Sequence, residues 1–189
     1  MKFNSKKIDI SKYIVYIIFV LCLIIFGIWL KGSFFSLSNL LNITRQAGAV
    51  SVMAIGMVFV IGLGHIDLSI GSVVAVSSLI TAYILRDTGN PVLAVIVAIG
   101  FGAIVGLFNG LCVTTIGMPA FLTTLGSQAI LTGIAMWISA TKAVPITHKG
   151  FLFWFGSGTI GQVPILLLWA VGATVIGYIV LNNLSLIHI

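Results

Sequence analysis

The sequence predicts an all-α membrane protein, a polytopic bundle of about six transmembrane helices with its N-terminus in the cytoplasm. Of 189 residues, 60% are hydrophobic and 6% are charged, against about 45–50% and about 25% in soluble domains. Nine Lys and Arg and three Asp and Glu cannot clothe a globule of this size in water. That excludes a soluble enzyme, a DNA-binding domain and a disordered chain. The apolar residues also come in long continuous runs rather than in strict alternation, which favours helices over a barrel. The third observation sets the orientation: Lys2, Lys6, Lys7 and Lys12 precede the first apolar run, as cytoplasmic flanks do. The net charge of +6 is therefore a topology signal, and no nucleic-acid partner is expected.

The elements follow in order. Residues 13–30 form the first span, which ends at Ile28-Trp29-Leu30-Lys31 without a small-x-small cleavage site and so reads as an uncleaved helix. Residues 32–46 alternate polar and apolar positions and read as an interfacial segment. The second span covers about 47–63 and breaks at Gly62, Gly64, His65 and Asp67. The third covers about 68–85 and stops at Arg86, Asp87, Gly89, Asn90 and Pro91, a turn. The fourth covers about 92–115, with Gly117 and Pro119 interrupting before the fifth at about 120–140. A loop over 141–161 carries Lys142, Pro145, His148 and Lys149, and the sixth span covers about 162–181. This orientation puts Lys31, Arg45, Arg86, Lys142 and Lys149 on the outer side, against the usual bias.

Few residues can carry chemistry. Asp67 is the one acid between residues 10 and 86. A carboxylate between two spans either accepts backbone N–H groups at a helix start or serves gating or subunit contact. His65, two residues earlier, has no metal-ligand spacing to His148 or His188. No metal site is expected, and Cys22 and Cys112 read as thiols within helices. Gly102, Gly106 and Gly110 recur every four residues, a small-residue stripe that suits close helix packing or a helix beside a translocation path. Asn109 is an amide that must hydrogen-bond across helices or to a solute. In the fifth span Thr124, Gln128 and Thr132 share one face by spacing. They either line a path for a neutral hydroxylated solute or bond back to their own helix. Gly156-Ser157-Gly158 superficially suggests an intramembrane serine hydrolase, a remote alternative because no base is placed to activate the serine. No Gly-Lys-Ser/Thr phosphate loop is present, so no catalytic constellation and no cofactor is expected on this chain.

Three segments in order carry a resemblance. AIGMVFVIGLGHIDLSIGSV (54–73), GLFNGL (106–111) and IGMPAFLTTLGSQAILTGIA (116–135) resemble the permease subunits of ATP-binding-cassette importers of the ribose, xylose and galactose type. Asn39-Leu40-Leu41-Asn42-Ile43 with Arg45-Gln46-Ala47 fits as well. Permeases of branched-chain amino acids are related more distantly. The resemblance implies a single transmembrane permease domain over 1–189 in a bacterial plasma membrane. It also implies cytoplasmic ATPase subunits that bind the ATP, an extracytoplasmic sugar-binding protein, a second permease subunit of the same or a different kind, and surrounding lipid. It gives Gly64, Asp67, Ser69, Gly71 and Pro119, with the three glycines of the fourth span, structural or gating roles. Asn109, Thr124, Gln128 and Thr132 are the expected substrate path. A branched-chain amino acid, nucleoside or autoinducer is the alternative solute. His65 stands where the family has a second glycine, and Thr132 where an arginine is common. The tail 184–189 departs from the family's approach to a coupling helix, which reads as a truncated frame.

Overall fold

The computed structural model describes residues 13–183 of the chain. The four N-terminal lysines, His188 and the divergent tail 184–189 lie outside the described residues. The chain divides into two units, Met1–Thr44 and Arg45–Ile189.

In the first unit an unbroken apolar run forms α1 (Ile14–Trp29). Its 16 residues reach about 24 Å, short of a hydrocarbon core of about 30 Å. Among the described residues, five helices are long and apolar enough to cross a membrane, and α1 is a shorter apolar sixth. A 3-10 turn, Lys31–Ser33, follows, and Phe34 stacks on Phe26 with ring centroids 5.9 Å apart.

α2 (Leu37–Gly62) begins earlier than the sequence predicts, because residues expected as an interfacial segment continue the helix. The local bonds explain this. The Ser36 hydroxyl accepts from Asn39 N–H, Asn39 Nδ2 donates to the Phe34 carbonyl, and Thr44 Oγ1 bonds back to the Leu40 carbonyl. Polar side chains cap and line this first stretch without interrupting its backbone ladder.

The larger unit is built on α3 (Ile70–Thr88), α4 (Pro91–Thr114) and α5 (Ala120–Ser139), which pack on one another. The α3–α4 connection is short because each residue has a job. Gly89 takes φ +64 and ends α3, and the Asn90 side chain accepts from Val92 and Leu93 N–H. Pro91 occupies the first helical position, where its missing N–H costs nothing. α2 ends in a similar device. Gly64 takes φ +76 while His65 N–H bonds to the Val60 carbonyl and Gly64 N–H to Ile61.

The core of this block is unusually polar. Ser69, Ser72, Thr81, Asn109, Thr123, Thr124 and Ser127 are buried with Val76, Ala82, Leu85, Ala94, Cys112 and Leu131. Small and hydroxyl side chains at helix contacts are what lipid-embedded bundles use, since lipid tails are as apolar as leucine.

The expected loop 141–161 holds ordered structure. α6 (Lys149–Phe155) starts where His148 Nδ1 accepts from Phe151 N–H. A two-stranded hairpin follows, β1 (Thr159–Ile160) and β2 (Val163–Pro164), turning at Gly161 with φ +62. It leads into α7 (Ile165–Asn183). Gly158 runs so close to the Phe153 carbonyl that no Cβ fits there. Aromatic residues carry the segment: Phe151 and Phe155 pack one turn apart, Phe155 stacks on Trp169, and Trp169 Nε1 donates to the Trp154 carbonyl.

α2 and α7 meet at Gly48, whose missing side chain admits the Leu166 backbone, and again where Gly177 faces Ile55. Between these contacts lies an apolar cleft of about 650 Å³. A Cβ at Gly48 would stand 2.7 Å from the Leu166 carbonyl oxygen, whereas one at Gly56 would meet nothing within 4 Å. Gly48→Ala is therefore expected to destabilise the protein by about 1–3 kcal/mol through overpacking. Gly56→Ala is expected to be neutral or stabilising by up to about 1 kcal/mol. Thermal melting in detergent followed by size-exclusion fluorescence compares the two.

Candidate functional site

Residues 63–69 leave the helix between α2 and α3, so their peptide groups need partners elsewhere. Two side chains supply them. Asp67, half-buried, accepts through Oδ1 from both the backbone N–H and the hydroxyl of Ser69, each at 2.7 Å. Thr124, on α5, accepts from Leu68 N–H at 3.1 Å, and its own proton lies within reach of the Ala120 carbonyl at 2.9 Å and the Ile66 carbonyl at 3.3 Å. The linker is thus tied down by its own carboxylate and by a threonine from a neighbouring helix.

The Ser69 hydroxyl extends this tie. Asn109 Nδ2 on α4 donates to Ser69 Oγ at 3.1 Å, and Ser127 on α5 donates to Asn109 Oδ1. Ser72 Oγ donates to the Ser69 carbonyl at 2.7 Å. Every donor in the sequence Ser127, Asn109, Ser69 points toward the Asp67 carboxylate. Hydrogen bonds aligned this way polarise one another and end on a charge, the stronger kind of acceptor. Asn109 is only 6% exposed, five residues before the end of α4, and so about 7 Å inside the helix end. At the opposite end of the block Tyr83 Oη donates to the Ile138 carbonyl, fixing α3 to α5 a second time.

The expected row Thr124, Gln128, Thr132 does not stay together. The buried positions of α5 are Thr123, Thr124, Ser127 and Leu131, while Gln128 and Thr132 are exposed. Each four-residue step overshoots a 3.6-residue turn by about 40°, so Thr132 sits about 80° around the helix from Thr124. The stripe on α4 rotates for the same reason. Gly102 touches Val73, but a side chain at Gly106 or Gly110 would meet nothing within 4 Å. Of the three glycines only Gly102 faces a neighbouring helix among the described residues. Gly71 and Pro119 are exposed, and Pro119 precedes α5 and accepts from Thr123 through its carbonyl.

Ser127 and Thr123 were the residues that spacing alone passed over, and the three-residue offset from Thr124 to Ser127 was the available signal. His65 is exposed beside Met118, Pro119 and Phe121 in a hollow at this end of the block. Among the described residues, no group of three His, Cys, Asp or Glu is placed to hold a metal ion. Ser157 Oγ makes no hydrogen bond among the described residues, and His148 Nδ1 is committed to Phe151 N–H. His148 Nδ1 is therefore not available to activate the serine.

The three-helix chain makes a quantitative prediction. In a double-mutant cycle, Asn109→Leu and Ser127→Ala should couple by about 0.6–1.7 kcal/mol, the range of interhelical hydrogen bonds in membranes. Unfolding of the four proteins in mixed micelles measures this. Strict additivity would show that the two side chains do not bond.

Comparison with known proteins places the chain. Residues 39–186 match the family described as "Branched-chain amino acid transport system / permease component". The ribose import permease protein RbsC of Escherichia coli (strain K12) is 36% identical over 140 residues, covering 71% of this chain and 43% of that protein. The xylose transport system permease protein XylH of Haemophilus influenzae is 31% identical over 183 residues, covering 96% and 48%. The D-allose transport system permease protein AlsC of Escherichia coli (strain K12) is 30% identical over 158 residues, covering 82% and 48%. The chain thus spans less than half the length of these relatives. No solved structure matches it. With five helices of spanning length among the described residues and a family match over most of its length, the chain belongs to this family of multi-pass membrane transport permeases.

Proposed function

We propose that the chain is part of the permease subunit of an ATP-binding-cassette importer for a monosaccharide. In this reading it lines part of the route taken by solute that an extracytoplasmic binding protein delivers. The observation that carries the reading is the set of relatives, whose names specify ribose, xylose and D-allose. The chemistry agrees. Neither α4 nor α5 contains a charged residue, and amides and hydroxyls both donate and accept, as sugar hydroxyls require.

Within that route the polar residues divide. Asn109 and Thr124 spend their hydrogen bonds on Ser69, Ser127 and the linker, so we assign them to positioning. Gln128 and Thr132 are exposed and make no side-chain hydrogen bond among the described residues, so we assign them to solute. Gly64 and Asp67 set the linker between α2 and α3, and a gating role for that linker belongs to the same reading. The working assembly holds a second permease subunit, identical or related, and cytoplasmic ATPase subunits that bind and hydrolyse the ATP. This reading assigns no cofactor to the chain itself.

The family description names branched-chain amino acids, which favours a second reading. A zwitterion calls for charged partners or helix ends. In the described site Asp67 is the one carboxylate, and its Oδ1 is taken by Ser69. A neutral sugar fits the site better.

Proteoliposomes that hold the permease with its ATPase and binding-protein partners test the reading. ATP-dependent uptake of labelled ribose, xylose or allose should exceed that of leucine. Gln128→Leu and Thr132→Val should each lower sugar uptake about tenfold, the worth of a hydrogen bond, with unchanged melting temperatures. Leucine uptake above sugar uptake would overturn the assignment.

A further inference from the structure

The segment between α5 and α7 carries a polar hollow whose lining includes none of the residues assigned to the solute route. Lys149, Phe153, Ser157 and Thr159 line it, and its volume is about 380 Å³. The ammonium of Lys149 and the hydroxyls of Ser157 and Thr159 make no ion pair or side-chain hydrogen bond among the described residues. Among the described residues no carboxylate answers the lysine: Asp67 holds Ser69 and Asp87 pairs with Arg86 at 2.7 Å, and Asp9 lies outside the described residues. The side chains of the hollow therefore offer one cation and two hydroxyls, with no negative group among them.

Its surroundings match a membrane interface. The Phe155–Trp169 stack and the Trp169 Nε1 bond to the Trp154 carbonyl hold α6 against the first turns of α7, a helix of spanning length. Phe153, which lines the hollow with Lys149, and Trp154, in edge contact with Phe153, have 43% and 53% of their surface exposed. Aromatic rings next to lysine at the end of a spanning helix mark the level where headgroups meet acyl chains. Gly158, clamped against the Phe153 carbonyl, and the hairpin β1–β2 keep Ser157 and Thr159 on the same side.

We propose that this hollow binds the phosphate of an anionic phospholipid headgroup. Lys149 supplies the charge, Ser157 and Thr159 donate hydrogen bonds to the phosphate oxygens, and Phe153 and Trp154 seat the glycerol and upper acyl region. The charge complementarity and the interfacial aromatics both specify lipid. A sugar would also ask for side-chain acceptors of the amide or carboxylate kind, which the hollow lacks.

Native mass spectrometry of the full chain, released from micelles doped with equal phosphatidylglycerol and phosphatidylcholine, tests the proposal. Phosphatidylglycerol should be retained preferentially. Lys149→Ala should lower the ratio about fivefold, the worth of one lysine near an anionic surface. Ser157→Ala with Thr159→Val should lower it further, Lys149→Arg should preserve it, and Lys142→Ala should leave it unchanged. Circular dichroism and elution volume confirm that each variant is folded. The proposal is overturned by equal retention of the two lipids, by an unchanged ratio in Lys149→Ala, or by an equal loss in Lys142→Ala. Displacement of the lipid by inorganic phosphate alone would also overturn it. So would a Lys149 effect confined to capture of a solute-binding protein.

Discussion

A peptide group between two membrane helices can send its hydrogen bonds only into protein or into water, and the seven residues from 63 to 69 are such a stretch. Their satisfaction organises the rest of the block. Asp67 folds back on Ser69, Thr124 reaches from α5 to take the Leu68 N–H, and Asn109 carries the tie from Ser69 across to Ser127. A carboxylate near lipid is expensive unless it is held, and here it is the terminus of a donor chain that crosses three helices. Loss of any member would leave a buried acceptor or donor unmatched, which costs more than the bond itself contributes. The helices α3, α4 and α5 are therefore held in register by the hydrogen-bond chain at one end, and Tyr83 ties α3 to α5 at the other.

This arrangement separates two uses of polar side chains that look alike in sequence. On α5 Thr123, Thr124, Ser127 and Leu131 turn inward, whereas Gln128 and Thr132, reached from Thr124 by successive four-residue steps, face outward. Thr124 and Thr132 are chemically identical and differ by about 80° of helix rotation. The first positions a linker, and the second is left with its hydroxyl unspent. A transport route through such a block needs both kinds: rigid walls whose polar groups are satisfied, and a few unsatisfied groups that exchange hydrogen bonds with solute.

Much of this fold was legible in the sequence. The spans followed from continuous apolar runs, and Gly89, Asn90 and Pro91 announced a turn, in which the structure has Gly89 end α3, Asn90 cap α4 and Pro91 open it. Asp67 stood out because a lone acid between spans has to be held. Three things were not legible. The start of α2 was hidden because Ser36, Asn39 and Thr44 serve the helix as caps and back-bonds, and local polarity alone cannot distinguish that from a loop. The order in 141–164 rests on the stacking of Phe155 with Trp169 of the next helix and on the close pass of Gly158 against the Phe153 carbonyl, neither of which hydropathy or spacing reveals. The division of the α4 and α5 stripes required the crossing geometry, since four-residue spacing approximates a face only over one or two turns.

The separation of inward from outward polar positions is the claim on which the account turns, and solvent accessibility in the native membrane tests it most directly. In a background with Cys22 and Cys112 replaced by alanine, single cysteines at 127, 128 and 132 can be probed in intact membrane vesicles with a small, water-soluble maleimide. The account predicts rapid labelling at 128 and 132 and protection at 127. Rapid labelling at 127, or protection of both 128 and 132 by lipid, would contradict it.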